Sequence, residues 1–358
     1  MSAIRRRLLA WFDLEKRELP WRGTRDPYRI WVSEIMLQQT TVEAVRSRYL
    51  PFLRRFPDLD SLAIAREDSV LAAWSGLGYY ARARNLRRAA LEIVRRHGGR
   101  VPRDPDVLRT LPGFGEYTAG AVAALAFGAP SPAADANVTR VVSRLFALPG
   151  VAGGRRNRAA VRRRLETLLP AGRPGDFLAA CMDLGQRICA SRRPRCEACP
   201  VGSVCAGRAR GVPESFPARR ERPRPERVRL AAVVVEREGR VLLRRRGGGY
   251  LEGLWEFPSC PRRNGRERTR EALRAELRDR PVELARRPAT TVRHSIVQRR
   301  LSIEVFRGTA AADADAADPF RWFSRAELSR AAIPTLTRKI AVSSGFLRDG
   351  FRRILFTK

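Results

Sequence analysis

Residues 107–128 read VLRTLPGFGEYTAGAVAALAFG, and this stretch decides the fold of the first half of the chain. Apolar residues recur at helical spacing on both sides of a turn that contains Leu111 and two glycines, Gly113 and Gly115. Glycine allows a close approach of backbone, and the free amides and dipole of the second helix can bind a phosphate. The stretch predicts two helices joined by a tight turn over about 105–127, with these three turn residues at the phosphate. A plain pair of helices with a glycine turn is the alternative.

The patterns on either side of this turn divide the chain into two domains and a linker. Apolar residues continue at helical spacing, so residues 1–212 are predicted to form an all-α domain. Residues 213–227 are rich in Pro and Arg, which indicates a linker. Short β-rich runs and a helical stretch at about 266–278 predict an α/β domain over 228–358. A chain of 358 residues fits this organisation.

The charge of the chain indicates a polyanionic partner. Lys and Arg number 71 against 37 Asp and Glu, a formal net charge of +34, and only Lys16, Lys339 and Lys358 are lysines. Nucleic acid comes before anionic lipid, because no basic amphipathic membrane helix stands out. An arginine bias from a GC-rich genome is the alternative origin of the excess. No run of about 18 apolar residues occurs and the N-terminus is a poor signal peptide, so we expect no membrane span and a cytoplasmic protein.

Two carboxylic acids are the best candidates for catalysis, because the two histidines, His97 and His294, lie in different parts of the chain. Glu34 shares a predicted helix face with apolar residues, and desolvation would raise its pKa and keep a proton available near neutral pH. Asp135 precedes a predicted helix, whose N-terminus favours a negative charge. One protonated and one anionic carboxyl can protonate a leaving group and stabilise a sugar cation. A helix cap at Asp135 and an ion pair at Glu34 are the structural alternatives.

Four cysteines lie within a short segment that follows a predicted helix. Cys189, Cys196, Cys199 and Cys205 form the pattern C-x6-C-x2-C-x5-C. Disulfides are not expected in a cytoplasmic protein, so the pattern indicates a metal site. Structural zinc usually takes two CxxC-like pairs separated by a longer loop, whereas the single compact loop 189–205 suits an iron–sulfur cubane. Four ordinary buried thiols are the alternative.

Several phrases of the sequence occur together: LPWR (19–22), SEIMLQQT (33–40), GLGYYARARN (76–85), LPGFGEYTAG (111–120), DANVTRV (135–141) and the four cysteines. In combination they closely resemble the adenine DNA glycosylases of the MutY family, which belongs to the helix-hairpin-helix superfamily. The C-terminal part is similar to that family's Nudix-like domain, and GLWEFPS (253–259) carries most of this weaker likeness. The resemblance implies an all-α helix-hairpin-helix glycosylase domain with one 4Fe–4S cluster in its loop, followed by an α/β Nudix-like domain.

The resemblance also implies roles for the catalytic residues. Glu34 matches the general acid that protonates the adenine ring. Asp135 matches the carboxylate that stabilises the oxocarbenium ion, including through a transient covalent bond. Tyr117 matches the tyrosine beside these two acids, and Asn137 a neighbour that forms a hydrogen bond. The bifunctional lyases of the superfamily carry a nucleophilic lysine where this chain has Tyr117, so we expect a monofunctional enzyme without lysine-based lyase activity.

Further positions match residues that contact the DNA. Gln39 and Tyr79 match residues that wedge into the base stack when the target base is flipped. Trp21 and Arg22 match positions in the wall of the base pocket. The implied partner is double-stranded DNA with adenine opposite oxidised guanine or guanine, bound by a nucleoid-associated monomer.

The sequence departs from the family pattern at two places. Ala179 stands where the family usually has a Gln or Glu that contacts adenine. Ile296, Val297 and Gln298 stand where it usually has a Phe-Ser-His loop that reads oxidised guanine, and we expect Gln298 to be the donor that remains. A mismatch thymine or uracil glycosylase on the same scaffold is therefore the first alternative, and a non-catalytic protein that binds damaged DNA is the second. The phrase REALRAEL (270–277) lacks the paired glutamates of a Nudix hydrolase, so we expect no pyrophosphatase activity.

Overall fold

A computed structural model of the protein describes residues 1–221, 223–278, 280–311 and 316–347. Its contacts divide the chain into two compact units, each discontinuous in sequence. The first unit comprises Met1–Ile64 and Asn85–Glu221, and the second comprises Ala65–Arg84 and Arg222–Lys358. The boundaries at 212 and 228 predicted from composition stay a prediction. No helix of the described residues is long and apolar enough to cross a membrane.

The first 221 residues form helices, which confirms the predicted all-α fold of this part. Local signals begin several of them: Asp26 accepts hydrogen bonds from the backbone amides of Tyr28 and Arg29, and Pro27 occupies the first helical position. The helices are α1 (Ser2–Glu15), α2 (Pro27–Leu37), α3 (Val42–Arg55), α4 (Leu59–Ile64), α5 (Glu67–Ala73), α6 (Ala81–His97), α7 (Pro105–Arg109), α8 (Glu116–Phe127), α9 (Ala136–Leu145), α10 (Arg155–Leu168), α11 (Pro174–Arg187) and α12 (Ala206–Ala209).

The predicted hairpin of helices is formed by α7 and α8. Gly113 has a φ of +80°, and a Cβ there would lie 2.8 Å from the Cβ of Asn85, so only glycine fits this turn. Gly115 precedes α8 without a capping side chain, and a Cβ placed on it would meet no atom within 4 Å. The first amides of α8 have no capping side chain, and free amides at a helix N-terminus can bind a phosphate.

Helix α8 passes through the interior of the first unit, which explains its small residues. A Cβ at Gly120 would lie 2.5 Å from the carbonyl oxygen of Pro132, so the neighbouring chain lies directly against the helix. One apolar core joins α8 to α1, α9, α10 and α11 through residues such as Leu8, Val142, Leu165 and Phe177. This packing places the N-terminal end of α9 beside α11, where a Cβ at Gly185 would lie 2.7 Å from the Cβ of Asn137.

The C-terminal part forms a mixed sheet with helices, which confirms the predicted Nudix-like fold. Strands β1 and β7 pair in parallel, and the other pairings are antiparallel. The main path of the sheet runs β3-β2-β1-β7-β5, while β4 pairs with β1, β6 with β7 and β8 with β2. The elements are β1 (Glu226–Arg237), β2 (Arg240–Arg245), β3 (Trp255–Glu256), β4 (Ser259–Pro261), α13 (Arg266–Glu276), β5 (Val282–Leu284), β6 (Thr290–Ile296), β7 (Arg299–Ala310), β8 (Phe320–Ser324), α14 (Arg325–Arg330) and α15 (Thr335–Ser343).

Each face of this sheet carries its own apolar core. One core includes Ile340 of α15 together with Val234 and Ile303 of the sheet. The core on the opposite face includes Leu273 of α13 together with Val233. Because successive residues of a strand point to opposite faces, β1 supplies both cores from alternating positions.

Residues 65–84 belong to the second unit although the sequence assigns them to the helical domain. The buried Tyr80 hydroxyl donates a hydrogen bond of 3.0 Å to the carbonyl of Ile333. The side chain of Asp68 pairs with Arg245 at 2.7 Å. Such contacts join positions far apart in sequence, and no local pattern predicts them.

Candidate active site and cysteine loop

A cleft of about 1890 Å³ opens in the first unit, where α2, α8, α11 and the start of α9 meet. Its volume exceeds the roughly 300–1,000 Å³ that is usual for small-ligand pockets. Residues predicted from the sequence to act in one site therefore lie together. Those that line the cleft are Trp21, Arg22, Glu34, Gln39, Gly113, Gly115, Tyr117, Asp135, Asn137 and Ala179.

Glu34 lies on α2 with only 5% of its surface exposed. The hydroxyl of Tyr117 on α8 donates a hydrogen bond of 2.6 Å to its Oε2 atom. Burial raises the pKa of Glu34 to about 7, the hydrogen bond from Tyr117 opposes this rise, and the charge of Asp135 adds to it. The carboxyl is thus divided between its two protonation states near neutral pH.

Asp135 is the N-cap of α9 and a lining residue of the same cleft. Its Oδ1 atom accepts a hydrogen bond of 2.6 Å from the amide of Val138, and its Oδ2 atom accepts one of 2.8 Å from the side chain of Asn137. Asp135 therefore caps a helix, and the same carboxylate lines the cleft in which its catalytic role is predicted. Because the cap holds this carboxylate at a helix N-terminus, the local dipole stabilises its negative charge.

A chain of hydrogen bonds leads from Asp135 to the cysteine loop. Arg140 donates a hydrogen bond of 2.8 Å to the Oδ1 atom of Asn137, whose amide nitrogen contacts Asp135. The same guanidinium donates to the carbonyls of Gly185, at 2.7 Å, and of Cys189, at 2.8 Å. The orientation of Asn137 thus depends on an arginine that also holds the first cysteine.

Asp183 was not identified from the sequence, although its side chain is fully buried on α11. It pairs with Arg17 at 2.7 Å and with Arg22 at 2.8 Å. Burial alone would raise its pKa, but the two arginines hold the pKa below its usual value. The sequence carries one signal for Asp183, which is an acidic residue on the apolar face of a predicted helix. Asp183 fixes Arg22, one of the predicted pocket-wall residues, at the edge of the cleft.

The positions predicted to contact DNA fall into two groups. Trp21 lies in the cleft with its ring centre 5.5 Å from that of Tyr49 in an edge-to-face arrangement, and Gln39 has a φ of +55° at the turn after α2. Leu111 is buried with 4% of its surface exposed, so its side chain belongs to the core of the hairpin. The second unit contains Tyr79 and Gln298.

Tyr79 lies at an exposed turn and is held from its own segment. It has a φ of +46° and 46% of its surface exposed. The guanidinium of Arg82 lies 5.6 Å from its ring centre and 5.4 Å from that of Trp74. Arg82 and the indole of Trp74 also donate hydrogen bonds to the carbonyl of Gly78. The segment presents one aromatic ring on a fixed turn.

Gln298 follows Val297 at the tip of the hairpin between β6 and β7. Val297 has a φ of +52° and 68% of its surface exposed. Ile296 pairs with Arg299 across the hairpin, and the backbone carbonyl of Gln298 accepts a hydrogen bond of 2.8 Å from Glu226. The side chain of Gln298 is exposed, so this tip offers an amide to a ligand.

The four cysteines lie on one tightly turned loop. The amide of Cys199 donates to the carbonyl of Cys196, and the amide of Cys205 donates to the carbonyl of Gly202. A Cβ at Gly202 would lie 2.7 Å from the carbonyl oxygen of Cys196, so the loop has no room for a side chain there. Among the described residues, no three His, Cys, Asp or Glu side chains form a group that would hold a single metal ion.

Arg144 provides the positive charge next to this loop. The side chain is 2% exposed and donates a hydrogen bond of 3.3 Å to the sulfur of Cys189. It also donates to the backbone carbonyls of Cys189, Ala190 and Ser191. Arg144 thus places a buried positive charge directly beside the sulfur of Cys189.

Comparison with known proteins identifies the two domains. Residues 32–170 match the family described as HhH-GPD superfamily base excision DNA repair protein, and residues 230–342 match the NUDIX domain. The adenine DNA glycosylase of Homo sapiens is 33% identical over 95% of this chain and 73% of that protein. The chain belongs to the adenine DNA glycosylase family. The enzyme of this family from Mycolicibacterium smegmatis is 42% identical over 60% of the chain and 72% of that protein.

Solved structures support the same assignment of the helical fold. A thermostable thymine-DNA glycosylase covers 58% of this chain and 96% of its own, with 33% identity and a TM-score of 0.53. An endonuclease III in complex with DNA covers 59% of this chain and 97% of its own, with 23% identity and a TM-score of 0.50, and shows the fold alone. Adenine excision from DNA in base excision repair is thus the activity of the family to which this chain belongs.

Proposed function

We propose that this enzyme excises adenine lying opposite oxidised guanine or guanine, with Glu34 as general acid and Asp135 as the stabilising anion. The observation that carries the proposal is the buried Glu34 carboxyl, hydrogen-bonded by Tyr117 in the cleft that Asp135 also lines. Membership of the adenine DNA glycosylase family supplies the reaction class. The burial of Glu34 supports its role as the acid, and the position of Asp135 at a helix N-terminus supports its role as the anion. The flipped base enters the cleft because its glycosidic bond is inaccessible inside the duplex.

Glu34 transfers its proton to a ring nitrogen of adenine. Tyr117 contacts Oε2, so Oε1 remains to donate the proton. The hydroxyl of Tyr117 then stabilises the carboxylate that forms, because a hydrogen bond to an anion is stronger than one to a neutral group. The electron pair of the bond between C1′ and the base nitrogen goes to the protonated ring, and neutral adenine leaves.

Asp135 stabilises the oxocarbenium ion that remains on the sugar. Its hydrogen bonds from Val138 and Asn137 fix the carboxylate before the reaction, which avoids reorganisation while positive charge develops. Water then bonds to C1′ and loses a proton to a carboxylate of the site. The abasic sugar is the product.

The enzyme acts without a lysine nucleophile. Tyr117 occupies the position of the lyase lysine, and no lysine occurs between residues 17 and 338. A Schiff base with the sugar needs an amine, so strand cleavage by this route is not available to the helical domain. The product of the reaction keeps an intact sugar–phosphate backbone.

The DNA-contacting roles follow from the same resemblance. The amides at the start of α8 anchor a backbone phosphate beside Gly113 and Gly115, and Gln39 and Tyr79 occupy the stack from which the base leaves. Gln298, exposed at its hairpin tip, donates to the oxidised guanine. Nudix-type hydrolysis is not part of this proposal.

The four cysteines hold one 4Fe–4S cluster. The donor set fits, because each iron of a cubane takes one thiolate and the thiolates need not converge on one ion. Arg144 offsets part of the negative charge at Cys189. When bound, the cluster supplies a rigid crosslink of the loop 189–205. Every residue assigned to catalysis lies before this loop.

A panel of labelled duplexes tests the proposal, each with one mismatch. We expect excision of adenine opposite 8-oxoguanine and guanine, with intact strands until alkali cleaves the abasic site. Thymine or uracil opposite guanine is the comparison substrate, since Ala179 lies in the cleft and a thymine-DNA glycosylase shares this scaffold. Excision of thymine or uracil without adenine would contradict the assignment of adenine as substrate.

A further inference from the structure

The face of the C-terminal sheet that packs against α13 is apolar over one half and cationic over the other. On β1, Ala231 and Val233 are buried in the core beneath α13. Arg227 and Arg229 precede them on the same face, because every second residue of a strand points the same way, and both are exposed. Helix α13 therefore covers only part of this face.

Two neighbouring strands extend the cationic half. Arg300 of β7 pairs with Arg227 of β1, and Ser302 of β7 pairs with Arg229 on one side and with Arg293 of β6 on the other. Paired residues share a face, so four arginines lie on three adjacent strands. Strand spacing of about 4.8 Å and a repeat of about 6.6 Å along each strand place their backbone positions within roughly 12 Å of one another. We name Arg227, Arg229, Arg293 and Arg300 the arginine face.

The arginine face differs from the neighbouring arginines in its ion pairs, as far as the described residues show. Its neighbour Arg262 pairs with Glu304 at 2.8 Å, and at the sheet end Arg299 pairs with Glu226 at 2.9 Å. Across the described ranges of the chain, none of the four arginines forms an ion pair or a side-chain hydrogen bond. Four guanidiniums this close repel one another, so an anion bound between them is stabilised by all four.

We propose that the arginine face binds the phosphate backbone of duplex DNA, an inference that rests on the proposed contact of the C-terminal domain with its substrate. Guanidinium forks match phosphate oxygens, often with two hydrogen bonds each. The hairpin that presents Gln298 grows from β6 and β7, the strands that carry Arg293 and Arg300. Contacts to phosphate fix the register of a protein on DNA, and base contacts then specify the sequence or lesion. The arginine face thus fixes where the hairpin tip meets the bases.

The test compares two double variants of the full-length protein that remove equal charge from the same domain. R293S/R300S removes half of the arginine face. R286S/R287S is the control, because both arginines are exposed in the segment after β5. The amide of the neighbouring Ala285 donates a hydrogen bond to the carbonyl of Arg307 on β7. Arg307 lies seven residues from Arg300, or about 23 Å along the strand at 3.3 Å per residue, so the control pair is remote from the arginine face. The pair R227Q/R229Q repeats the test on a second strand.

The measurement is fluorescence anisotropy with an undamaged 20-base-pair duplex over a series of salt concentrations. Such a duplex holds no lesion, so the result does not depend on excision. Each lost phosphate contact lowers the slope of log K against log salt by about 0.9. We expect a slope smaller by about 1.8 and on the order of tenfold weaker binding near 0.15 M salt for either arginine-face pair, with R286S/R287S close to the parent protein.

Equal slopes for the arginine-face pairs and the control would overturn the proposal. The same pairs are also measured on phosphatidylserine vesicles. Unchanged DNA binding with lost vesicle binding would assign the face to anionic lipid and would equally overturn it. A failure of the proposed function itself gives a different result, since the parent protein would then excise no adenine whatever its salt slope.

Discussion

The hydroxyl of Tyr117 lies 2.6 Å from a carboxylate oxygen of Glu34 and is the donor of the hydrogen bond between them. Two opposing effects therefore act on one acid: burial raises the pKa of Glu34 to about 7, and Tyr117 limits the rise. A proton with this pKa is bound at pH 6 and largely released at pH 8. The hydrogen bond from Tyr117 therefore influences the pH range over which Glu34 holds a proton.

The pH dependence of excision follows from the direction of this shift. A general acid must be protonated, so the single-turnover rate should fall about tenfold per unit as the pH rises beyond about 7. The shift from the ordinary 4.5 to about 7 means that the folded state binds the extra proton between these values. The free energy of unfolding should accordingly decrease as the pH rises through that window. A rate that increases between pH 7 and pH 9 would contradict the role of Glu34.

The variant Tyr117→Phe separates the two effects. It removes the hydrogen bond that lowers the pKa of Glu34, so the alkaline limb of the rate profile should move to higher pH while the maximal rate falls. Tyr49→Phe is the control, because it removes a hydroxyl that donates to the carbonyl of Arg29 and leaves Glu34 untouched. The two variants are compared by single-turnover excision from pH 5 to pH 9. An unmoved limb in Tyr117→Phe would show that Tyr117 does not act on this acid.

Glu34→Gln tests the acid itself. The amide keeps the shape of the side chain but has no transferable proton, so base release should fall by about 10²–10⁴-fold with nearly unchanged duplex binding. Single-turnover excision and binding to an undamaged duplex are measured on the same preparation. Excision near the parent rate would rule Glu34 out.

Local sequence was sufficient for the elements that local physics controls. The tight turn at Gly113 follows from glycine, and Asp135 before a helix follows from capping preferences. The burial of Glu34 followed from its apolar neighbours on one helix face. Asp135 caps α9 and lines the cleft with the same carboxylate, so the two roles do not exclude each other.

Contacts between distant positions were not predictable from such patterns. Asp183 is buried because Arg17 and Arg22, about 160 positions earlier, meet it in space. Tyr80 donates to a carbonyl 253 positions away, which places residues 65–84 with the C-terminal sheet. Burial of a charge needs a partner, and the partner is visible only in the folded chain.

Arg140 is expected to support Asp135, the proposed catalytic carboxylate, without contacting substrate. Arg140→Gln removes the donor to Asn137, whose amide holds Asp135. A hydrogen bond to a charged group is worth about 1.5–3 kcal/mol, so excision should slow by roughly ten- to a hundredfold. Iron content is measured in parallel, since Arg140 also donates to the Cys189 carbonyl. Loss of iron in proportion to activity would show that the residue only supports the loop.

The cysteine loop is tested by comparing Cys199→Ser with Cys260→Ser. Cys199 lies among the four proposed ligands, whereas Cys260 is a buried thiol of the sheet. Only Cys199→Ser should lose the yellow-brown colour, the visible absorption and much of the soluble protein. Stoichiometric zinc without iron or sulfide in anaerobically purified parent protein would contradict the cluster.

The role of the C-terminal domain in reading the lesion needs a point variant as well as a truncation. Deleting residues 228–358 leaves every proposed catalytic residue in place, so adenine excision should remain possible. The deletion also removes Ile333 and Arg245, the partners of Tyr80 and Asp68, and thereby loosens the segment that presents Tyr79. A truncated protein therefore loses both the hairpin tip that carries Gln298 and the contacts that hold the segment of Tyr79.

Gln298→Ala changes the hairpin tip alone. If its amide donates to oxidised guanine, the preference for adenine opposite 8-oxoguanine over adenine opposite guanine should fall by about ten- to a hundredfold, the value of one good base contact of roughly 1–3 kcal/mol. Tyr80→Phe is the complementary variant, because it removes the hydroxyl that donates to the carbonyl of Ile333 and should slow excision on both duplexes alike. Binding and single-turnover excision are measured at one fixed salt concentration, since affinity for DNA depends steeply on salt. An unchanged preference in both Gln298→Ala and the truncated protein would show that the hairpin does not read the lesion and that the domain serves to position the enzyme on DNA.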